Sequence, residues 1–425
     1  MKFSKVELKN NLRVLVVPLP NLESATLTIW VKTGSRLEED RVAGISHFLE
    51  HMVFKGSKKR PTAKEIAEAV DAIGGEFNAA TSKDWTNFYI KARAANLETA
   101  FDVLSDMVLA PILAEEEIAR EKGVIIEEIR MYEDTPMLRI NDVYEQLTFS
   151  GNPLGRDIIG SEKTVSAVKR DDFVRYRNTH YYPENMLVTV AGGVNQRNVQ
   201  KLAESYLASI KPKSKSAEKM QEFAVKQTKP QVKLHPKKKE QAHFILGFTG
   251  HGRGYKGKYA EAVLAAILGG GMSSRLFSEV RERRGLAYSV RTSVERYAET
   301  GYVGTYAGVD PKRVDEAIKV TLDEHYKLAS QKSGVSLREL SKAKEYLKGH
   351  LALSLEDTRD VNNFFAEQEL FLKKVKTPEQ VVREIDKVEI DAVLSEAKNL
   401  FLPQKLNLAI IGPYDSQERF AKLLR

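Results

Sequence analysis

Apolar residues recur in two rhythms along this chain, and the rhythms appear in the same order twice. Thr26-Leu27-Thr28-Ile29-Trp30-Val31 is a β-branched, alternating run that predicts a strand, and it ends at Thr33-Gly34. Ala242-His243-Phe244-Ile245-Leu246-Gly247-Phe248 predicts a second strand, ending at Thr249-Gly250. The two glycines are 216 positions apart (250 − 34), close to half of the 425 residues. After each comes a polar loop and then an apolar helix, predicted over 44–54 in the first half and 260–268 in the second. Both halves close on strands, 187–190 and 406–411, each followed by glycine and a charged helix. A repeat on this scale predicts an α+β chain made of two homologous α/β domains, each an antiparallel-rich sheet backed by helices.

Between the halves the apolar rhythm fades. Lys211, Lys213, Lys215, Lys219, Lys226, Lys229, Lys233 and the run Lys237-Lys238-Lys239 occupy this stretch. The expected division is therefore an N-terminal domain over 1–210, a Lys-rich linker over 211–238 and a C-terminal domain over 239–425. The net charge of +8 raises the question of nucleic acid. The lysines bunch in one tract instead of alternating with exposed aromatics, so a solvated linker is expected and no nucleic-acid partner.

Composition narrows the chemistry. A chain of 425 residues exceeds one ordinary core, and 42% apolar with 29% charged residues describes a globular protein. No apolar run approaches the ~20 residues that span a bilayer, so no membrane partner is expected. Met1-Lys2-Phe3-Ser4-Lys5-Val6 passes into strand-like sequence without an apolar signal core, which predicts a cytoplasmic location. There is no cysteine, which excludes disulfides, thiolate nucleophiles and Cys-ligated metal. Any metal must be held by imidazole and carboxylate.

The two halves differ in the helix where such ligands would sit. The first-half helix reads HFLEHMVF and the matching second-half helix AVLAAILGG. His47 and His51 are four apart, so both imidazoles project from one helical face a turn apart, with Glu50 on the same flank. A lone histidine on an apolar helix is most often a core or surface residue; two with a glutamate at this spacing point to one Zn²⁺ per chain. A catalytic zinc site takes three protein ligands and leaves one position open. The third ligand is expected on the helical stretch 115–132, where Glu121 and Glu128 share a face beside Ile118, Ile125 and Ile129. Glu127 leaves that helix about 100° away from Glu128, and spacing alone does not choose between them.

His47-Phe48-Leu49-Glu50-His51 is an HxxEH motif, the reverse of the HExxH zinc-hydrolase motif. With GGEFNAATSKDWTNFY, EKGVIIEEIRMYED, HYYPENMLVTVAGGV and LGGGMSSRLFSEVRERRGLAYSV in order after HFLEHMVFKGSKKRP, nearly the whole chain resembles the pitrilysin–insulysin–mitochondrial processing peptidase family. It is most similar to the processing-peptidase β-subunit and its short bacterial relatives. The resemblance implies a zinc metallopeptidase with His47, His51 and Glu128 as ligands, Glu50 as general base and Glu121 supporting the ligands. It also implies that Arg281 holds a substrate carbonyl, that Tyr288 donates to the oxyanion, and that Phe77, Asn78, Ala79 and Ala80 form an edge strand for peptide substrates. The chain would supply half of a clamshell, completed by a second copy in a homodimer or by a related chain.

One departure bears on specificity. Processing peptidases carry acids ten and fourteen positions past the ligand that read an arginine near the cleavage site; here those positions hold Leu138 and Asp142. Strict presequence specificity is not expected. The rivals are a non-catalytic scaffold of the same fold, as in the core proteins of respiratory complexes, and a zinc hydrolase of non-peptide substrates. The complete ligand set disfavours the first and the edge strand the second.

Overall fold

The computed structural model describes residues 1–212, 220–330, 334–372 and 374–424. Its strands form two sheets. The first joins β1 (Ser4–Glu7), β2 (Arg13–Pro18), β3 (Ser24–Val31), β4 (Glu76–Thr81), β5 (Thr86–Arg93) and β6 (Met186–Gly192) in the order β1-β2-β6-β3-β5-β4. The second joins β7 (Gln231–Pro236), β8 (Ala242–His251), β9 (Ala287–Arg296), β10 (Thr300–Val309) and β11 (Leu406–Gly412) in the order β7-β11-β8-β10-β9. Each sheet has one parallel pair, β2 with β6 and β7 with β11, and is otherwise antiparallel. The two halves thus repeat one topology.

Side-chain alternation explains why both faces of each sheet are covered by helices. In the first sheet Val14, Val16, Leu27, Ile29, Val188 and Val190 pack on α3 (Leu97–Leu109), behind α1 (Ile45–Val53) and α2 (Ala63–Asp71) in chain order. Leu15, Val17, Trp30, Leu187 and Ala191 point the other way, onto Val361, Phe365, Ala366 and Leu370 of the helix Thr358–Phe371. In the second sheet Phe244, Leu246, Phe248, Leu408 and Ile410 meet the helix Lys258–Gly269. Two further helices, α4 (Glu115–Asp134) and α5 (Pro136–Thr148), follow α3. Ile245, Ala409 and Ile411 of the second sheet are covered by Ile140, Val143 and Tyr144 of α5.

The compact units therefore cut across the expected boundaries of 1–210 and 239–425. One unit comprises 1–130, 156–221 and 354–377, and the other 131–155, 222–353 and 378–425. Each half sends one helix to the sheet of the other, α5 in one direction and Thr358–Phe371 in the other. The linker expectation is also corrected. Gln231-Val232-Lys233-Leu234-His235-Pro236 is a strand of the second sheet, with Leu234 opposite Ile410. It is half-buried, and the polar ends of its lysine and histidine hide the alternation. Residues 213–219, with Lys213, Lys215 and Lys219, lie outside the described residues. No helix among the described residues is long and apolar enough to cross a membrane.

Candidate metal centre

The helix α1 begins where the chain can turn sharply into it. Gly44 has φ 97°, and a Cβ there would lie 2.6 Å from the carbonyl oxygen of Ile159. The buried carboxylate of Glu38 accepts from the N–H of Gly44 (2.7 Å) and of Ser46 (2.8 Å), binding N–H groups at the start of the helix. Burial outweighs those bonds and the charge of Arg156, and pushes the Glu38 carboxyl up to about 7. Ile45, Phe48, Leu49 and Met52 of α1 sink into a core shared with Ile118 and Ile125 of α4. This packing turns His47 and His51 away from the core and toward Glu121 and Glu128 on α4.

There the ligand-type atoms converge. One donor atom from each of His47, His51 and Glu128 lies within 4.8 Å of the others, the one such group of three among the described residues. Oε2 of Glu128 is 3.7 Å from Nε2 of His47 and 3.6 Å from Nε2 of His51. Tetrahedral bonds of about 2.1 Å put neighbouring ligand atoms roughly 3.4 Å apart, so the spacing fits a zinc ion with little movement. Glu127 does not join them; it is exposed and paired with Arg130 at 2.6 Å.

The surroundings favour ligands over packing residues. Nε2 of His47 is the ring nitrogen that faces Glu128, and its Nδ1 is buried on the other side of the ring. Burial, aided by the neighbouring His51, lowers the His47 pKa to about 3, so its imidazole is neutral as a metal ligand must be. His51 has its Nδ1 2.9 Å from Glu121 Oε1, and Lys55 Nζ reaches the other carboxylate oxygen at 2.7 Å. For Glu121 burial alone would raise the pKa; the His51 and Lys55 bonds outweigh it and the net shift is downward. Glu50 is shifted upward, by burial first and the charge of Glu128 after it, against the lowering bond from Thr81. The Thr81 hydroxyl donates to Glu50 Oε2 at 2.5 Å, a contact the HxxEH spacing did not disclose.

Thr81 ends β4, the open edge of the first sheet. Phe77, Ala79 and Thr81 are half-buried and Glu76, Asn78 and Ala80 exposed, with the Phe77 ring 5.4 Å from that of Phe54 just beyond α1. Ser82 N–H donates to the Trp85 carbonyl, which makes that pair the bonded close of the β4–β5 hairpin. Antiparallel alternation then leaves the main-chain groups of Phe77, Ala79 and Thr81 facing the open side. Ala79 N–H accordingly bonds to the Asn78 side chain, at 2.8 Å.

Arg281 and Tyr288 lie in the other compact unit. Arg281 is on a π-helical turn, Phe277–Glu282, with its guanidinium 4.7 Å from the Phe277 ring centre and 5.2 Å from that of Tyr288. Tyr288, on β9, is 80% exposed, so its hydroxyl body is available to a further molecule. In the same unit Leu138 is exposed on α5, and Asp142 is tied to Arg139 at 3.2 Å.

Comparison with known proteins gives the family of the chain. A family model described as Insulinase (Peptidase family M16) matches residues 13–162, and one described as Peptidase M16 inactive domain matches 167–347. An uncharacterized zinc protease of Streptomyces coelicolor is 36% identical over 97% of this chain and 90% of its own length. The uncharacterized zinc protease YmxG of Bacillus subtilis is 37% identical over 95% of this chain and 97% of its own. A crystal structure of a protease from Helicobacter pylori superposes with a TM-score of 0.92 at 25% identity, covering 97% of this chain and all of that one. A peptidase M16 inactive domain from Pseudomonas fluorescens shares the fold at TM-score 0.89 and 19% identity, over 98% of this chain and all of that one. The chain belongs to peptidase family M16.

Proposed function

We propose that the chain is a zinc metalloendopeptidase that hydrolyses peptides or unfolded protein segments. The observation that carries this is the convergence of His47, His51 and Glu128 on one point, with Glu50 on the same helix beside them. Zinc held there by His47, His51 and Glu128 would supply Lewis-acid polarisation and would lower the pKa of water toward neutrality. Glu50 accepts the proton of the attacking water and returns it to the leaving amine. An extended substrate adds to β4 through the outward main-chain groups of Phe77, Ala79 and Thr81, which binds many sequences alike. Asn78 and Ala80, exposed on the same strand, line its side-chain path.

The resemblance extends this to a closed chamber completed by a second copy of the chain or a related one, with Tyr288 donating to the oxyanion and Arg281 holding a carbonyl. The exposure of Tyr288 and its stacking on Arg281 support that role. With Leu138 where processing peptidases carry an acid, cleavage dependent on arginine is not part of the proposal. The test is a mixed peptide library with product masses read before and after a chelator. Internal cleavage that the chelator abolishes is expected; an intact library contradicts the proposal.

A further inference from the structure

Thr81 does two things at once. Its hydroxyl donates to Oε2 of Glu50, and its main-chain N–H and C=O are the last of those on β4 that face the open edge. We propose that Thr81 is a positioning residue that couples the docking of an extended peptide on β4 to the orientation of the general base. The proposal rests on the peptidase function above and adds a residue to it.

Glu50 needs such a partner. Its side chain has three rotatable bonds and leaves α1 beside the two histidines, so the helix fixes where the carboxylate starts and not where it ends. A general base acts only within hydrogen-bond reach of the proton it removes. Thr81 can supply the missing restraint because it is itself stiff. It is β-branched, with restricted χ1, and its strand is held to β5 by the pairing of Ala80 with Asn87 and the closure of Ser82 on Trp85. The hydroxyl is therefore restricted in direction, though its strand still lacks a partner on the open side among the described residues, and it points at Glu50 Oε2.

A peptide that bonds to the main chain of Thr81 stiffens the strand end that carries this hydroxyl. Binding at the edge then improves the alignment of the base, an interaction realised in the reaction and not only in binding. Substrates long enough to reach Thr81 gain in kcat and not only in KM. A hydroxyl that served only the stability of β4 would have no such consequence.

The experiment compares Thr81→Val, which keeps the shape and loses the donor, with Thr81→Ser, which keeps the donor, in the zinc-loaded full chain. Zinc content, kcat and KM on a long peptide, and the crystallographic position of the Glu50 carboxylate are measured. In Thr81→Val we expect zinc retained, KM little changed, the carboxylate displaced and kcat down roughly 10- to 100-fold, the scale of an ångström-sized misplacement. Thr81→Ser restores both the carboxylate position and most of kcat. A Thr81→Val protein with an unmoved carboxylate or wild-type kcat overturns the proposal, as does loss of zinc or failure of serine to rescue. Should the wild type cleave no peptide, the function above fails by itself, and the carboxylate position in the two variants still decides the role of Thr81.

Discussion

Nδ1 of His51 and Oε1 of Glu121 are 2.9 Å apart, across from the Nε2 that faces Glu128. Nδ1–H donates to the Glu121 carboxylate, which leaves Nε2 with the free lone pair, the tautomer a metal requires. Glu121 is itself buried and held by Lys55, so it is a fixed reference for the ring. Glu121→Gln is expected to weaken zinc binding roughly 10- to 100-fold while keeping all three ligands, the usual cost of losing such a partner. Competition with a chromophoric chelator measures it. An unchanged affinity would remove Glu121 from the account.

Glu127 and Glu128 are adjacent and chemically identical, yet one faces the histidines and the other pairs with Arg130 in solvent. Glu128→Gln is expected to lose zinc on dialysis under conditions where Glu127→Gln retains it. Equal losses would show that the helix does not discriminate as described.

That pair also marks the limit of what the sequence discloses. Helical spacing put His47, Glu50 and His51 on one face because a helix has a single fixed period, and α1 follows it. The same period left Glu127 and Glu128 unresolved, since choosing between them requires knowing which face of α4 meets α1. The strands that close each half were legible because they are buried on both faces and read as continuous apolar runs. The exchange of α5 and Thr358–Phe371 between sheets was not, because a helix carries an apolar face but no address for the partner that covers it. Thr81 escaped notice for a similar reason: its bond to Glu50 spans 31 residues and joins a strand to a helix.

The direction of the main-chain groups along β4 predicts a contrast between neighbours. Proline at position 79 removes an N–H that faces the open edge, which strands tolerate, while proline at 80 removes one that bonds to β5. Ala79→Pro is expected to fold, bind zinc and raise KM for long peptides several-fold, consistent with the loss of about one hydrogen bond. Ala80→Pro is expected to lower the thermal midpoint. Peptide kinetics and calorimetry on the two proteins check this; equal stability losses would contradict the assigned register.

Glu38 gives the metal helix a pH signature. Its carboxyl is raised by burial from 4.5 to about 7, so the folded chain holds a proton there that the unfolded chain has released. The stabilisation is fully present below pH 4.5 and is lost as pH rises through about 7, up to about 3 kcal/mol across the window. Glu38→Gln does not titrate. The stability of the wild type relative to this variant, from denaturant unfolding of metal-free protein, is expected to fall between about pH 4.5 and pH 8. A constant difference would contradict the buried, protonated carboxyl.

The central claim is that one zinc and Glu50 together perform peptide hydrolysis, and Glu50→Gln tests it by removing the base without removing a ligand. Metal content and peptide cleavage are measured on the same preparations of wild type and variant. The expected result is about one zinc per chain in both and a loss of roughly 100-fold or more in kcat for the variant. A Glu50→Gln protein that holds its zinc and cleaves at the wild-type rate would contradict the mechanism.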